Sequence, residues 1–228
     1  MKPEIVRTHS FVAEVARFIK DTASEAIDAR GFFRLALSGG NTPRPIYQAL
    51  SLEDCDWRKW IVTFGDERCV PPDDSQSNYR MASESFLLVT SPGEVLRMKG
   101  EIEPNEGAEE YDTAIQHLGK RFGEQRYRHD LILLGLGEDG HTASLFPETA
   151  ALKETQKNVV ANFVPKFNAN RLTFTFPMIN AARCVVFAVN DKTKQPIVDR
   201  VLAGNSGLPS EQVKPVNGEV LWFLGHGK

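Results

Sequence analysis

A mostly parallel α/β sheet covered by helices on both faces, Rossmann-like, is the fold this chain predicts. Three observations predict it. The runs Trp60–Phe64, Leu131–Leu134 and Cys184–Val189 are apolar almost throughout, the pattern of strands buried on both faces. Stretches with apolar residues at helical spacing lie between them. Several runs empty into Gly-rich polar loops, and an open α/β sheet binds its ligands where its strands end.

The elements follow in order. Phe11, Val15, Ile19, Ala23 and Ile27 recur at helical spacing, so residues 9 to 29 read as an amphipathic helix that Gly31 stops. Phe32 to Leu37 is a short strand. It runs into Ser38-Gly-Gly-Asn-Thr-Pro43 and a helix from Pro45 to Leu50. Trp60–Phe64 is the second strand, ending in Gly65-Asp-Glu-Arg68. A turn-rich loop, Pro71–Ser77, precedes a helix over residues 78 to 89, and residues 94 to 98 read as a strand. Ala108, Tyr111, Ile115, Leu118 and Phe122 set a helix over residues 106 to 126.

After Leu131–Leu134 come strands at Val159–Val164 and at residues 171 to 176. A short turn or helix starts at Pro177, and Cys184–Val189 is a buried strand. Residues 191 to 202 read as a helix although Pro196 stands inside it, where a missing N–H and a ring clash would break one. Residues 220 to 224 are the last strand. There is no internal repeat, low-complexity tract or linker, so residues 1–228 are expected to form one domain.

Composition narrows the function. Of 228 residues 41% are apolar and 25% charged, as in soluble globular proteins. A net charge of −3 without a run of like charges offers no nucleic-acid surface. No apolar run is long enough to span a membrane, and the first thirty residues carry carboxylates instead of a signal-peptide core. Cys55, Cys69 and Cys184 are scattered and form no CxxC pair, which fits reduced thiols and no zinc knuckle. A cytoplasmic protein is the expectation.

The loop after Leu134 carries most of the chemistry. Gly135-Leu-Gly-Glu-Asp-Gly140 is a literal GxGxxG after a strand. A dinucleotide site is disfavoured: Pro147 leaves no room for a long helix starting at Gly140, and Glu138 and Asp139 would repel a pyrophosphate. A catalytic loop fits better. His141 is a candidate general base, with Asp139 two residues away to orient it or to hold a substrate hydroxyl. The bland alternative is a histidine that caps a turn beside solvated carboxylates.

Ser38-Gly39-Gly40-Asn41-Thr42-Pro43 has the makings of an anion cradle, with consecutive N–H groups at a helix start and a hydroxyl beside them. It lacks the ending of a Walker A loop, so a small phosphate monoester suits it better than a nucleoside triphosphate. An ordinary loop with proline at the helix start is the alternative. Asp66-Glu67-Arg68 lies at the same sheet edge, where Arg68 can clamp an oxyanion or the three residues can form a surface ion cluster. Lys192 and Lys194 begin a helix, a position unfavourable to a cation, which fits a ligand-facing role for one of them; solvated lysines are the alternative.

These pieces resemble the family of glucosamine-6-phosphate isomerases and 6-phosphogluconolactonases. The matching runs are Leu37–Pro43, Phe64–Arg68 with Ser77-Asn-Tyr-Arg-Met81, Gly135–Pro147 and Arg171-Leu-Thr-Phe-Thr-Phe-Pro177. They come in the family's order and span nearly the whole chain. Arg68 stands where the deaminase branch has tyrosine, and Phe146 where it has glutamate, so the lactonase branch is the better match. Asp191 stands where the family commonly has glycine, which leaves Lys192 and Lys194 both open as the phosphate-contacting lysine.

The resemblance implies hydrolysis of 6-phospho-D-glucono-1,5-lactone to 6-phosphogluconate in the oxidative pentose phosphate pathway. It implies His141, Asp139 and Arg68 as catalytic residues. It places substrate on Gly39, Gly40, Asn41, Thr42, Asp66, Arg171 and Lys194. A δ-lactone is already activated, so neither metal nor other cofactor is expected, and the partner is a small sugar phosphate met by a monomer. Two further readings stay open: an amino-sugar phosphate isomerase or deaminase with Asp66 as its base, and a non-catalytic sugar-phosphate sensor.

Overall fold

The apolar runs pair with one another. The computed structural model of the chain describes residues 3–227, and its centre is a seven-stranded sheet in which every described pairing is parallel. In chain order the elements are β1 (Glu4–Thr8), α1 (Phe11–Arg30), β2 (Phe33–Leu37), α2 (Pro43–Leu50), β3 (Trp60–Phe64), β4 (Asp66–Arg68), α3 (Asn78–Ala82), α4 (Leu88–Thr90), β5 (Glu94–Val95), α5 (Pro104–Arg121), β6 (Leu131–Leu134), β7 (Val159–Val164), β8 (Ala169–Phe174), α6 (Phe176–Ile179), β9 (Cys184–Val189), α7 (Gln195–Ala203) and β10 (Glu219–Gly225). The large sheet runs β1-β10-β9-β6-β2-β3-β5. β2, β3, β6 and β9 are buried along their whole length, so both faces of the sheet are covered.

The order places a reversal between β2 and β6. From β2 the chain builds outward through β3 and β5, then returns to lay β6 on the other side of β2 and continues through β9 and β10. Asp130, at the mouth of β6, helps fix that adjacency: it accepts the backbone N–H of Arg34 at 2.9 Å and pairs with Arg30 at 2.9 Å. A crevice outside the strand ends at such a reversal is where this architecture holds ligands. A second, antiparallel sheet, β4-β8-β7, stands over that end.

Several boundaries differ from the expectations for physical reasons. Residues 4 to 8 are too short and too little alternating to announce a strand, yet β1 forms; it is an edge strand whose only described partner is β10, and most of its side chains are not buried. Asp66–Arg68, read from the sequence as the end of the second strand, is a strand of its own, paired antiparallel with β8. α2 starts at Pro43, whose missing N–H is harmless in a first turn. The helix from Asn78 passes through a π turn, Ser83–Leu87, before α4. The strand at residue 94 is only two residues long, and α5 ends at Arg121, just before Gly123 at φ 68°. The predicted helix over 191–202 divides into a 3-10 turn, Lys192–Lys194, and α7, so Pro196 falls in a first turn and breaks nothing. Gly31 does stop α1, at φ 82°, donating its N–H to Ile27 O.

One hydrophobic cluster runs from Phe11 through the sheet to Leu224. Among the described residues no helix is long and apolar enough to cross a membrane.

Candidate active site

The loops after β2, β6 and β9 converge, with β4 and β8, on one cavity of about 260 Å³. Its lining includes Gly39, Gly40, Asn41, Thr42, Asp66, Arg68, His141, Arg171 and Lys194. Every residue expected to act is therefore at this cavity except Asp139, which stands behind His141. Two wider clefts lie elsewhere, and neither has a histidine in its lining.

Residues 38 to 42 leave β2 in a tight curve. Tyr47, buried on α2, holds the curve from behind: its hydroxyl accepts the N–H of Ser38 and donates to the carbonyl of the same residue, both at 2.9 Å. Burial pushes the Tyr47 phenol up, so it stays a neutral clamp. Gly39 has no room for a side chain, since a β-carbon would lie 1.8 Å from Asn78 Oδ1. Gly40 turns at φ 98°, a left-handed value natural to glycine. Thr42 stands at the N-cap of α2 yet makes no side-chain cap bond, so its hydroxyl is not committed to the helix.

β4 presents alternate residues to different tasks. The Glu67 carboxylate is buried and accepts four bonds, from the N–H groups of Arg68, Asn78 and Tyr79 and from the Ser77 hydroxyl, at 2.7 to 3.1 Å. Burial raises its pKa and those N–H bonds oppose the rise, so Glu67 ties α3 to β4 and belongs to no surface ion cluster. Asp66 is 8% exposed. Its Oδ2 accepts Ser144 Oγ–H at 2.7 Å and its Oδ1 accepts Asn78 Nδ2–H at 3.2 Å. Arg68 donates to the carbonyl of Gln76.

Arg68 also pairs in register with Arg171 across β4 and β8. Two like charges directly opposite repel. Burial and the neighbouring Arg68 both lower the Arg171 pKa. Such a pair, open to a cavity, is a place for anionic oxygen. Lys194 adds a third cation, its ammonium donating to Leu136 O at 2.7 Å. Lys192 is exposed and outside the lining, and Asp191 caps the intervening turn by accepting from Thr193 N–H at 2.9 Å.

The loop after β6 is built around one imidazole. Gly140 turns at φ 77°, and a β-carbon on Gly137 would lie 2.0 Å from His141 Nδ1. Asp139 Oδ1 faces that nitrogen at 2.5 Å and accepts the His141 backbone N–H at 3.2 Å. Lys166 donates to Asp139 Oδ2 at 3.3 Å. Partial burial alone would raise the Asp139 pKa; the bonds and charge of His141, with Lys166, outweigh it and hold the carboxyl below its usual value. With Nδ1 so occupied, Nε2 is the ring nitrogen left for chemistry, and it has no partner among the described residues. The arrangement is a hydrogen-bonded histidine–carboxylate pair facing a cavity lined by three cations and one carboxylate, groups that can exchange a proton with a bound molecule.

Ser144, Asn78, Tyr47 and Phe167 carry no spacing or motif position that marks them for these contacts. Ser144 lay in a quoted run but only its contact with Asp66, 78 positions away, reveals its use. Phe146, which stands where the deaminase branch has glutamate, stacks its ring on the His141 imidazole, centroids 3.9 Å apart.

Comparison with known proteins follows the same lines. Residues 7–222 match a family model described as glucosamine-6-phosphate isomerases/6-phosphogluconolactonase. A 6-phosphogluconolactonase of Nostoc sp. is 36% identical over 221 residues, covering 94% of this chain and 91% of that protein. Another, of Synechocystis sp., is 39% identical over 207 residues, covering 88% and 85%. Among solved structures, the 6-phosphogluconolactonase of Thermotoga maritima superposes with a TM-score of 0.87 at 26% identity, covering 98% of this chain and 100% of that one. That of Trypanosoma brucei gives 0.83 at 29% identity, covering 98% and 96%.

Proposed function

The chain belongs to the glucosamine-6-phosphate isomerase/6-phosphogluconolactonase family, and on that premise we propose that it hydrolyses 6-phospho-D-glucono-1,5-lactone to 6-phospho-D-gluconate in the oxidative pentose phosphate pathway. The observation that carries this reading is the His141–Asp139 pair on a cavity whose other walls are Arg68, Arg171 and Lys194. A dianionic phosphate ester that develops a further negative charge during reaction needs such a surplus of cations.

His141 Nε2 takes a proton from water as that water attacks the lactone carbonyl. Asp139 holds the ring by Nδ1 and stabilises the imidazolium that forms. The carbonyl oxygen becomes an oxyanion, met by Arg68 or by backbone N–H groups of a Gly-rich loop. When the C–O bond to the ring oxygen breaks, His141 returns its proton to that oxygen, and the open-chain acid leaves. The phosphate rests on Gly39, Gly40, Asn41 and Thr42, with Lys194 and Arg171 supplying charge. Asp66, held by Ser144 and Asn78, accepts a substrate hydroxyl.

The test generates the lactone in situ with glucose-6-phosphate dehydrogenase and follows its disappearance against the spontaneous rate. The protein accelerates it; His141→Ala loses roughly 10²- to 10⁴-fold in turnover, the range of general acid–base catalysis. A chain that releases ammonia from glucosamine 6-phosphate but leaves the lactone at its spontaneous rate would overturn the reading.

A further inference from the structure

One hydrogen bond does not orient a histidine. Asp139 fixes Nδ1, but the imidazole remains free to tilt about that contact. Phe146 supplies the missing constraint: its ring stacks on the imidazole with planes 23° apart. Phe146 is itself buried, and Phe167 closes on it edge to face, centroids 5.7 Å apart at 82°. Phe167 belongs to the turn Pro165–Phe167 that joins β7 to β8. From the same turn Lys166 reaches Asp139, and the Arg171 guanidinium lies 5.5 Å from the Phe167 centroid. One hairpin tip thus touches both the acid–base pair and the cationic wall.

We propose that Phe146, buttressed by Phe167, is a positioning residue for His141: the stacked ring fixes the plane that turns Nε2 to the cavity and attracts the positive charge the imidazole gains when it takes a proton. This rests on His141 acting as the base. An aromatic face attracts a cation more strongly than a neutral ring. The contact therefore strengthens as the proton is transferred, the condition for an interaction to raise turnover instead of mere affinity. An aliphatic side chain fills the same space without that face.

Phe146→Leu isolates the effect because no charge changes. Asp139 and Glu138 in the loop, Lys166 on the hairpin, Lys194 beside Leu136, and Asp66, Arg68 and Arg171 across the cavity all stay. The expected result is a fall in kcat of about 3- to 10-fold with KM unchanged, from the size of aromatic and cation–π contacts. The NMR titration midpoint of His141 in substrate-free protein also falls, its resonance identified by its loss in His141→Gln. Phe146→Tyr restores both readouts. Phe167→Ala, at a half-exposed position, moves both the same way by less, and carries the test if the Leu variant is unstable. If the unaltered protein fails to accelerate lactone opening, the functional reading falls, while the titration still decides the role of the ring. An unchanged His141 midpoint in Phe146→Leu and Phe167→Ala overturns the proposal, as does a change confined to KM.

Discussion

Gly137 and His141 occupy adjoining space so closely that no side chain fits at 137 beside the imidazole: a β-carbon on Gly137 would lie 2.0 Å from His141 Nδ1 and 2.1 Å from its Cε1. The glycine of this loop thus clears a seat for the imidazole. Gly137→Ala has to push the ring away from Asp139. Since a displacement of about 1 Å can cost on the order of 100-fold in rate, turnover in the coupled lactone assay is expected to fall by 10- to 100-fold on this principle. The thermal midpoint should move little. A fully active alanine variant would contradict the seating.

Thr42 makes no side-chain cap bond at the start of α2, and the Lys194 ammonium donates to Leu136 O. Thr42→Ala and Lys194→Ala should mainly raise KM for the lactone, roughly 10-fold or more each, the scale of a hydrogen bond to a charged group. Turnover at saturation should stay near that of the unaltered protein. Steady-state kinetics decide this, and a loss confined to kcat would move the phosphate elsewhere in the cavity.

Ser144→Ala removes a donor from the buried Asp66 carboxylate, leaving Asn78 as its side-chain partner. A buried acceptor stripped of a partner costs about 1–3 kcal/mol. The variant should therefore unfold at lower urea, with raised KM as Asp66 loses its orientation. Equal midpoints in urea would show that the contact is not formed in solution.

His129 gives the fold an acid weakness away from the cavity. It is fully buried against Thr63, whose hydroxyl lies 2.8 Å from Nε2. Burial, with the nearby Arg34 charge, pushes its pKa down from 6.5 to about 3. Between those values the unfolded chain binds a proton that the folded one refuses. The contribution is thus complete above pH 6.5 and is lost as pH falls toward 3, at about 1.4 kcal/mol per pH unit. Urea unfolding at pH 7 and pH 4.5 should show the unaltered protein losing about 2–3 kcal/mol more than His129→Gln. Equal losses would mean that His129 is protonated in the fold.

Much of this architecture can be read from residue order because it follows from local rules. β3, β6, β7 and β9 fall where unbroken apolar or alternating runs put them, and a parallel sheet sends such strands into loops at one edge. Gly39 to Thr42, His141 and Lys194 meet there for that reason, while Asp66, Arg68 and Arg171 reach the same place on the antiparallel β4 and β8. What stayed hidden depends on pairing. β1 is an edge strand whose only described partner lies more than 200 positions away in sequence. Asp66–Arg68 becomes a strand only because β8 lies antiparallel to it. The choice between Lys192 and Lys194 depends on a 3-10 turn that no periodicity announces. Glu67 reads as one charge among three until its four donors are seen.

The cavity lining begins at Ser38 and ends at Lys194. No shorter N-terminal stretch of the chain contains it, so occupancy is a property of the nearly complete fold. A small molecule that binds there and ignores the unfolded chain stabilises the native state as a whole, by about 2.7 kcal/mol at one hundred times its Kd. Substrate and product in the cell therefore act as ligands of folding as well as of catalysis. The amount of intact protein should then follow the supply of sugar phosphate.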